Sequence, residues 1–453
     1  MNACPAPPKA GVRRVTLDPD ASAWAGLLQE HVEARGPLSA EARTFREQLG
    51  LPTDRPVVMS GHQAEFWHPG ILAKLLAANA LAARTGAAVA WLVVDQDTNH
   101  PFRLALPERD DKAAFRARAW EMGPDPLGRP TRSVPPVTPG SPPNTEFAAE
   151  LGERLPAIRE ALRAHAGATT AAVQVTEALF DLLEGITPSP RVVYASSLAK
   201  TDLFRSIVAS MLADPRSVQS SYNDAAGRHR GAGVRRLGES ETGGIELPVW
   251  RFDERGGRAP AFQNEIIDAD NLAPRGMLAT GLMRLAASDV FVHGTGGQAY
   301  ERINDVWLPK LVGGAGLAPF FTASADVLLV MGGASTSAAE AERSRWLAHH
   351  ARHQPQMVGE TGLQAARDEL VAKIAAAPAD SDERAGLFKE LHALLDEFRG
   401  RRSEDLQALE HDADTLAAGM DWKLLAQDRA WPAVVHEPGT LERLRDEIEA
   451  RFG

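Results

Sequence analysis

Cysteine, long apolar runs and positive charge are scarce in this chain, and each shortage argues against a class of protein. Cys4 is the only cysteine among 453 residues, which argues against disulfides, cysteine-ligated zinc and a buried catalytic thiol. No stretch reaches the roughly 18 uninterrupted apolar residues of a membrane helix, and the N-terminus lacks the apolar run of a secretory signal. The net charge of −11 at pH 7 argues against general binding to a nucleic-acid backbone. The sequence therefore predicts a cytoplasmic protein that contacts no membrane.

The length of 453 residues exceeds one typical hydrophobic core and predicts two or three domains. The eight prolines between 124 and 143 leave few backbone donors for strand pairing, so we expect no central strand there. Charged stretches with helical periodicity dominate the C-terminal part. The predicted segments are an N-terminal helical segment, a parallel-sheet core in two parts, an inserted proline-rich and helical domain, and a C-terminal helical, coiled-coil region, at 1–50, 51–107 with 190–335, 108–189 and 336–453.

The most informative stretch follows a short apolar run that begins at Val57 and stops at Ser60-Gly61. His62, Gln63 and His68 come next, and a helix starts at Pro69, where the missing N–H of proline costs nothing. A strand, a polar loop and a helix in this order build ligand sites at the carboxyl edge of open parallel sheets. The alternative is that these side chains only satisfy backbone groups of the loop.

A second buried strand is predicted at 89–94, and it also ends in residues of the ligand type. Asp95, Asp97 and His100 follow it directly. The two strands and the helix between them form one βαβ unit, which places both strand ends at the same edge. We interpret the two ends as one site. Turn capping is the alternative for both aspartates, since Asp favours turns.

Two further strands are predicted at 191–195 and 290–293. The second ends at His293 and runs into Gly294-Thr295-Gly296-Gly297, after which a helix starts at Gln298. A glycine-rich loop before a helix offers free backbone N–H groups to an anion. Arg284 lies shortly before this strand, and the sequence leaves open whether it points into the site or pairs with a carboxylate.

From Gly61-His62-Gln63 onward the chain resembles bacillithiol synthase, the cysteine-adding enzyme of bacillithiol biosynthesis. That family has a Gly-Gln-Gln loop, a Gly-Pro-Leu turn and a helix with a lysine, and the counterparts here are Gly61–Gln63, His68–Gly70 and Lys74. Its next strand is similar to the run from Trp91 to Asp97. The remaining similar stretches are Ser221–Ala225 with Asn223, Leu282–Arg284, and the strand and loop up to Tyr300.

The resemblance covers about residues 55 to 320 and implies a Rossmann-like core related to class I aminoacyl-tRNA synthetases, with an inserted domain and a coiled coil. Three positions depart from the family: His62 replaces a glutamine, His68 a glycine, and Asp97 a histidine. These exchanges move the imidazoles within the site, which leaves substrate and reaction open. The pattern Gly-His-Gln-x-Glu-x-x-His-Pro-Gly is also similar to uncharacterised bacterial proteins of planctomycete type.

The first hypothesis is therefore an enzyme that joins an amine or amino acid to a small acceptor. His62 and His68 would transfer protons or stabilise a phosphate, and Asp95 or Asp97 would hold an ammonium group or a ribose hydroxyl. The second hypothesis is a metal-dependent hydrolase or transferase with His and Asp ligands. The third is a non-catalytic nucleotide- or metabolite-binding protein.

The expected cofactor is a nucleotide, with a divalent metal as the alternative, and the expected partners are a small-molecule substrate and a second copy of the chain through the helical region. The predicted catalytic residues are His62, His68, Asp95 and Asp97. The predicted substrate-binding residues are Gln63, Lys74, His100, Asn223, Arg284, His293, Gly294, Gly296, Gly297 and Tyr300.

Overall fold

The computed structural model describes residues 11–109, 115–144, 151–266, 269–329, 337–426 and 428–453. Cys4 lies outside these residues. The chain divides into two compact units. The first comprises Met1–Leu106, Arg118–Val330 and Asp428–Gly453, and the second comprises Pro107–Ala117 and Met331–Gln427.

The described part of the first unit contains a six-stranded sheet with the order β1-β11-β10-β2-β3-β6. Neighbouring strands from β11 to β6 run parallel, and β1 is an antiparallel edge strand on β11. The strands of this sheet are β1 (Val12–Asp18), β2 (Val57–His62), β3 (Ala88–Val93), β6 (Arg191–Tyr194), β10 (Val290–His293) and β11 (Phe320–Val327).

The strand order reverses direction beside β2. The chain proceeds from β2 to β3 and β6 on one side, and it later returns to β10 and β11 on the other side. In an open α/β sheet the crevice between two strands whose connections leave in opposite directions is the usual ligand site. The fold therefore favours a site where His62 ends β2 and His293 ends β10.

Helices cover both faces of this sheet. In the first unit they are α1 (Ala21–Arg35), α2 (Ala40–Gln48), α3 (Pro69–Thr85), α4 (Arg154–Ala164), α5 (Ala171–Leu182), α6 (Asp202–Ala213), α7 (Pro215–Arg228), α8 (Gly276–Leu282) and α9 (Gln298–Leu311). Helix α14 (Pro438–Arg451) also belongs to the first unit. The second unit, taken by itself, has the helices α10 (Ala338–Ala351), α11 (Thr361–Ala376), α12 (Asp382–Arg401) and α13 (Ser403–Ala426).

Helix α3 carries one wall of the site and is almost wholly buried. Thirteen of its 17 residues are buried, because β2 and β11 cover one side and α14 lies on another. Its start is fixed by the His68 side chain, which accepts a hydrogen bond from the N–H of Gly70, and by Pro69 at the first helical position. Gly86 ends the helix in the left-handed conformation at φ 68°.

Two small sheets accompany the main one. One is the pair β4 (Arg103–Arg109) and β5 (Phe115–Glu121), and the other has the order β8-β7-β9. The strands of the latter are β7 (Glu246–Phe252), β8 (Arg258–Phe262) and β9 (Leu272–Pro274). Its buried side chains join a core cluster that continues through α6, α7, α8 and α9 to the face of the main sheet formed by Met59 and Phe291.

The second unit is helical between 338 and 426 apart from short connections. Helix α10 lies against α13, and α11 lies against α12. Its buried centre is small and includes Ala351, Leu395, Phe398 and Leu406. Among the described residues, no helix is long and apolar enough to cross a membrane.

The α/β class with a mostly parallel Rossmann-like sheet and a C-terminal helical region is confirmed, as are the four predicted strands and their placement side by side. Strands β1 and β11 are absent from the prediction. The charged pair Arg13-Arg14 interrupts the apolar alternation of β1, and buried Thr322 and Ser324 interrupt that of β11. Between 122 and 144, the described residues contain no strand. Residues 118–189 and 428–453 belong to the first compact unit.

Candidate active site

A cavity of about 610 Å³ lies at the carboxyl edge of the main sheet, where the strand order reverses. This volume is in the usual range for small-molecule sites. The ends of β2 and β10 contribute Gly61, His62 and His293, and α3 contributes Lys74. The remaining polar lining residues are Gln63, Glu65, His68, Asp97, Tyr222, Arg275, Thr280, Thr295, Tyr300, Ser324 and Arg429.

His62 and Glu65 form a histidine–carboxylate pair in the cavity wall. Their Nε2 and Oε1 atoms are 3.0 Å apart. Burial lowers the pKa of His62 below its ordinary value, against the opposing effect of its hydrogen bond to Glu65. With Nε2 facing the carboxylate, the proton of the neutral ring lies on Nε2 and Nδ1 is the acceptor. No hydrogen bond from the described residues engages that Nδ1.

His68 caps the start of helix α3. Its Nδ1 accepts the N–H of Gly70 at 3.1 Å. Burial, followed by the charge of Arg429, lowers the pKa of His68 to about 4, so the ring is neutral at physiological pH. Gly70 is held between these groups, because a Cβ there would lie 2.8 Å from both the Arg429 guanidinium and the His68 ring. With Nδ1 of His68 accepting the N–H of Gly70, the proton of the neutral ring lies on Nε2.

Lys74 is buried in the cavity wall with 5% of its surface exposed. Its Nζ donates a hydrogen bond to the carbonyl oxygen of Gly61 at 2.5 Å and lies 5.2 Å from the centre of the Trp91 ring. Burial lowers its pKa to about 7, and the nearby charge of Glu65 offsets only part of this effect.

Asp97 ties together the loops after two neighbouring strands. Its Oδ2 accepts the amide of Gln63 at 3.0 Å, and its Oδ1 pairs with Arg258 at 2.7 Å. Arg258 and Arg275 both lie over the ring of Trp250, at 4.4 Å and 4.3 Å from its centre. Because Asp97 is engaged on both oxygens, its geometry favours positioning of the loops over proton transfer.

His293 sits above a buried ionic network. The ring of His293 stacks on Phe291 at 4.5 Å, and its Nε2 lies 3.2 Å from Oε1 of Glu301. Glu301 also accepts hydrogen bonds from Arg284 at 2.6 Å and from the Thr280 hydroxyl. Burial disfavours the charge on Glu301, but these neighbours outweigh it and hold its pKa at about 2. Burial lowers the pKa of His293, against the opposing charge of Glu301.

The loop Gly294–Gly297 passes directly over His293. A Cβ at Gly297 would lie 2.5 Å from Nδ1 of His293 and 3.0 Å from the Tyr300 hydroxyl, so only glycine allows this approach. The loop leads into α9, whose first turn has no capping side chain. The only acidic residue in that turn is Glu301, whose side chain is engaged with Arg284 and Thr280.

The cavity lining has three basic side chains and two carboxylates, although the whole chain carries a net charge of −11. Lys74, Arg275 and Arg429 face the cavity. Arg275 pairs with buried Glu246 at 2.6 Å, and Arg429 donates to Ser324 at 2.8 Å. The carboxylates among the lining residues are Glu65 and Asp97, the latter already paired with Arg258. A cavity with this balance attracts an anionic ligand.

The structure brings together most of the residues singled out from the sequence. Those lining the cavity are His62, Gln63, His68, Lys74, Asp97, His293, Gly294, Gly296, Gly297 and Tyr300. The four others, which do not line it, have partners of their own. Asp95 accepts the N–H and hydroxyl of Ser196, His100 pairs with Glu121, Asn223 bonds both backbone groups of Leu237, and Arg284 binds Glu301 and Asp305.

Several cavity residues carried no sequence signal or only a weak one. Glu65 belongs to the Gly-His-Gln-x-Glu pattern, and its spacing of three residues from His62 could have marked it as a partner. Arg275 and Arg429 are isolated arginines far along the chain, and only the fold brings them to the cavity. Among the described residues, no cluster of three or more His, Cys, Asp or Glu side chains could hold a metal ion.

Comparisons with known proteins give distant similarity only. No family model matches the sequence, and no curated protein matches it. Among solved structures, the chain is similar to tyrosyl-tRNA synthetase from Archaeoglobus fulgidus, solved with L-tyrosine, at 13% identity and a TM-score of 0.27 over 94% of this chain and 99% of that one. The chain is also similar to tyrosyl-tRNA synthetase from Aeropyrum pernix, at 14% identity and a TM-score of 0.26 over 94% of this chain and 99% of that one. These scores are too low to transfer the role of any residue.

Proposed function

We propose that this chain is an enzyme that joins an amine or an amino acid to a small acceptor, with a carbon–nitrogen bond as the product. The observation that carries the proposal is the His62–Glu65 pair in a 610 Å³ cavity at the reversal of the strand order. A cavity of this volume has room for two small reactants side by side.

The reaction requires a base, because an alkyl amine is protonated at neutral pH and attacks only as the free amine. The lowered pKa of His62 leaves its ring unprotonated at neutral pH, and its Nδ1 is the acceptor for the proton of the amine. Glu65 then stabilises the imidazolium that forms. The nitrogen bonds to an acyl carbon of the acceptor while the bond from that carbon to an oxygen leaving group breaks, and the leaving group keeps the electron pair.

The test is condensation by the purified full chain. Amines and amino acids are paired with carboxylates plus ATP and with preformed acyl phosphates, and products are identified by mass spectrometry. His62→Gln should lower the rate by about 10²–10⁴-fold, as expected for loss of a general base. The matched control is His165→Gln, since His165 pairs with Glu177 and Asp181 and does not line the cavity.

Three outcomes separate the hypotheses. A product whose formation depends on His62 supports the proposal, and a product formed equally by His62→Gln contradicts the role of His62. Ligand-dependent stabilisation without a product from any pair favours a non-catalytic binding protein, since binding to the native state alone raises its melting temperature. Hydrolysis of an acyl compound that occurs only after Zn²⁺ or Mn²⁺ is added would favour the metal-dependent alternative.

A further inference from the structure

Lys74 has a buried ammonium group that forms no ion pair with the residues that the structure describes. One hydrogen bond, to the Gly61 carbonyl, engages its ammonium group. An ammonium group has three N–H donors, so two are left without an acceptor among the described residues. Such a group is costly to keep in a protein wall unless something else completes it.

The Gly294–Gly297 loop is the second feature, and it belongs to another element of the fold. Helix α9 follows it with 14 residues and no capping side chain, so the N–H groups of its first turn are directed at the cavity end of the helix. Gly294 and Gly296 both line the cavity, and a Cβ at Gly296 would meet no atom within 4 Å. The backbone is therefore open to a ligand at this point.

Lys74 and the loop lie against each other. A Cβ at Gly294 would lie 3.8 Å from Cδ of Lys74, which is van der Waals contact with the lysine stem. The ammonium group and the open loop thus line the same cavity. Within the loop, the N–H of Gly297 donates to the carbonyl of Gly294 at 3.0 Å, while no hydrogen bond of the described residues engages the N–H groups of Thr295 and Gly296.

We infer that the acidic group of the acceptor, a carboxylate or a phosphate, binds between the Lys74 ammonium and the Gly294–Gly297 loop at the start of α9. This inference rests on the proposed function, because the acidic group is assigned to the acceptor of that reaction. Anionic oxygens would accept hydrogen bonds from the two unused N–H groups of Lys74, from the N–H groups of Thr295 and Gly296, and from those of the first helical turn.

Binding of the anion should be accompanied by proton uptake. Burial holds the pKa of Lys74 near 7, and a bound anion next to the ammonium raises it again. The other titratable groups facing this part of the cavity include Glu65, which favours the charged lysine, and His62, His68 and His293, whose pKa values burial lowers. Slightly above neutral pH, an anion therefore draws a proton onto Lys74 as it binds.

The test is calorimetric titration of the full chain with inorganic phosphate and, separately, with acetate. Each titration is made slightly above neutral pH in two buffers with different ionisation enthalpies, which reports the protons taken up. The expected result is saturable binding of at least one of the two anions with net proton uptake, and the anion that binds more tightly identifies the acidic group. Lys74→Met and Lys74→Gln should weaken binding at least tenfold and abolish the uptake, while Lys310→Met on the exposed side of α9 should change neither.

Anion binding that survives in both Lys74 variants, or no saturable binding of either anion to the unaltered chain, would overturn the inference. His62→Gln separates this result from the proposed function. If His62→Gln abolishes condensation and still binds the anion, both stand. If phosphate and acetate bind through Lys74 while no amine condenses with any acceptor, the anion site stands and the proposed reaction fails.

Discussion

The Lys74 ammonium donates to the Gly61 carbonyl at 2.5 Å, which links the helix after β2 back to the end of the strand itself. Gly61 cannot be replaced without moving β3, since a Cβ there would lie 2.4 Å from the carbonyl oxygen of Leu92. The lysine is therefore fixed in the wall of the cavity, where its charge is useful to a ligand and unfavourable to the folded chain alone.

The first prediction is that Lys74→Met stabilises the protein in a pH-dependent way. Between pH 7 and pH 10.5 the unfolded chain holds a proton on Lys74 that the folded chain has lost, so the stability of the unaltered protein rises with pH in this window. At pH 7 and below, the cost of the buried charge is complete. The variant should thus be more stable at pH 7, by a margin that shrinks toward pH 10.5.

Urea unfolding at several pH values in this window measures that margin. The control is Lys310→Met, for which the difference from the unaltered protein should stay small at every pH. A margin for Lys74→Met that is the same at pH 7 and pH 10.5 would contradict the assignment of a buried, depressed lysine.

The second prediction contrasts two glycines of one loop. Gly297→Ala should destabilise the protein by about 1–3 kcal/mol, the usual cost of overpacking a filled interior. The reason is the 2.5 Å approach of the added Cβ to the His293 ring, since the φ of −77° at Gly297 imposes no backbone strain. At Gly296 a Cβ meets open space, so the free energy of unfolding of Gly296→Ala should lie within about 0.5 kcal/mol of that of the unaltered protein. Equal unfolding free energies for the two variants would show that the loop does not press on His293.

The sequence predicted those strands of the main sheet that a local run of apolar residues indicates. Apolar runs ending in polar residues located β2, β3 and β10, because strands buried on both faces need continuous apolar residues. A shorter apolar run also located β6, although it lies at an edge of the sheet. The same rule failed for β11, where small polar side chains are buried, and for β1, where exposed Arg13 and Arg14 break the run.

The candidate site divides in the same way. Residues on the loops after β2 and β10 were found because each loop adjoins its strand in sequence. Arg275 and Arg429 were not found, since their position depends on long-range packing. Asp95 and Arg284 resemble ligands in the sequence, but the fold supplies partners inside the protein, Ser196 for one and Glu301 for the other.

The third prediction concerns the buried pair of Arg284 and Glu301. Glu301→Gln should cost about 3–5 kcal/mol, because it leaves the guanidinium buried beside a neutral amide. Asp305→Asn removes the second carboxylate on Arg284, but Asp305 is 43% exposed, and the expected cost is at most about 1 kcal/mol. Chemical unfolding measures the loss in the free energy of unfolding for each variant. A loss for Glu301→Gln no greater than that for Asp305→Asn would contradict the buried ion pair of Arg284 and Glu301.

The same pair predicts how stability depends on acid. The neighbours of Glu301 hold its pKa at about 2, below its ordinary value of 4.5, so its stabilising effect is present above pH 4.5 and is lost as the pH falls toward 2. In the Glu301→Gln variant this loss cannot occur. As the pH is lowered from 4.5 to 2, the melting temperature should therefore fall less steeply for Glu301→Gln than for Asp305→Asn.

The last prediction separates His62 from Asp95, which the sequence treats alike. Asp95 is 3% exposed and accepts both the N–H and the hydroxyl of Ser196, so Asp95→Ala leaves a buried donor unpaired and should cost about 1–3 kcal/mol. His62→Ala removes a side chain that is 24% exposed and bonded to a partly exposed carboxylate, and the melting temperature should change little. Thermal unfolding of the two variants, read beside condensation rates, distinguishes the roles. A large loss of stability in His62→Ala would mean that the imidazole holds the loop together, and the base for the amine would then have to be sought elsewhere in the cavity.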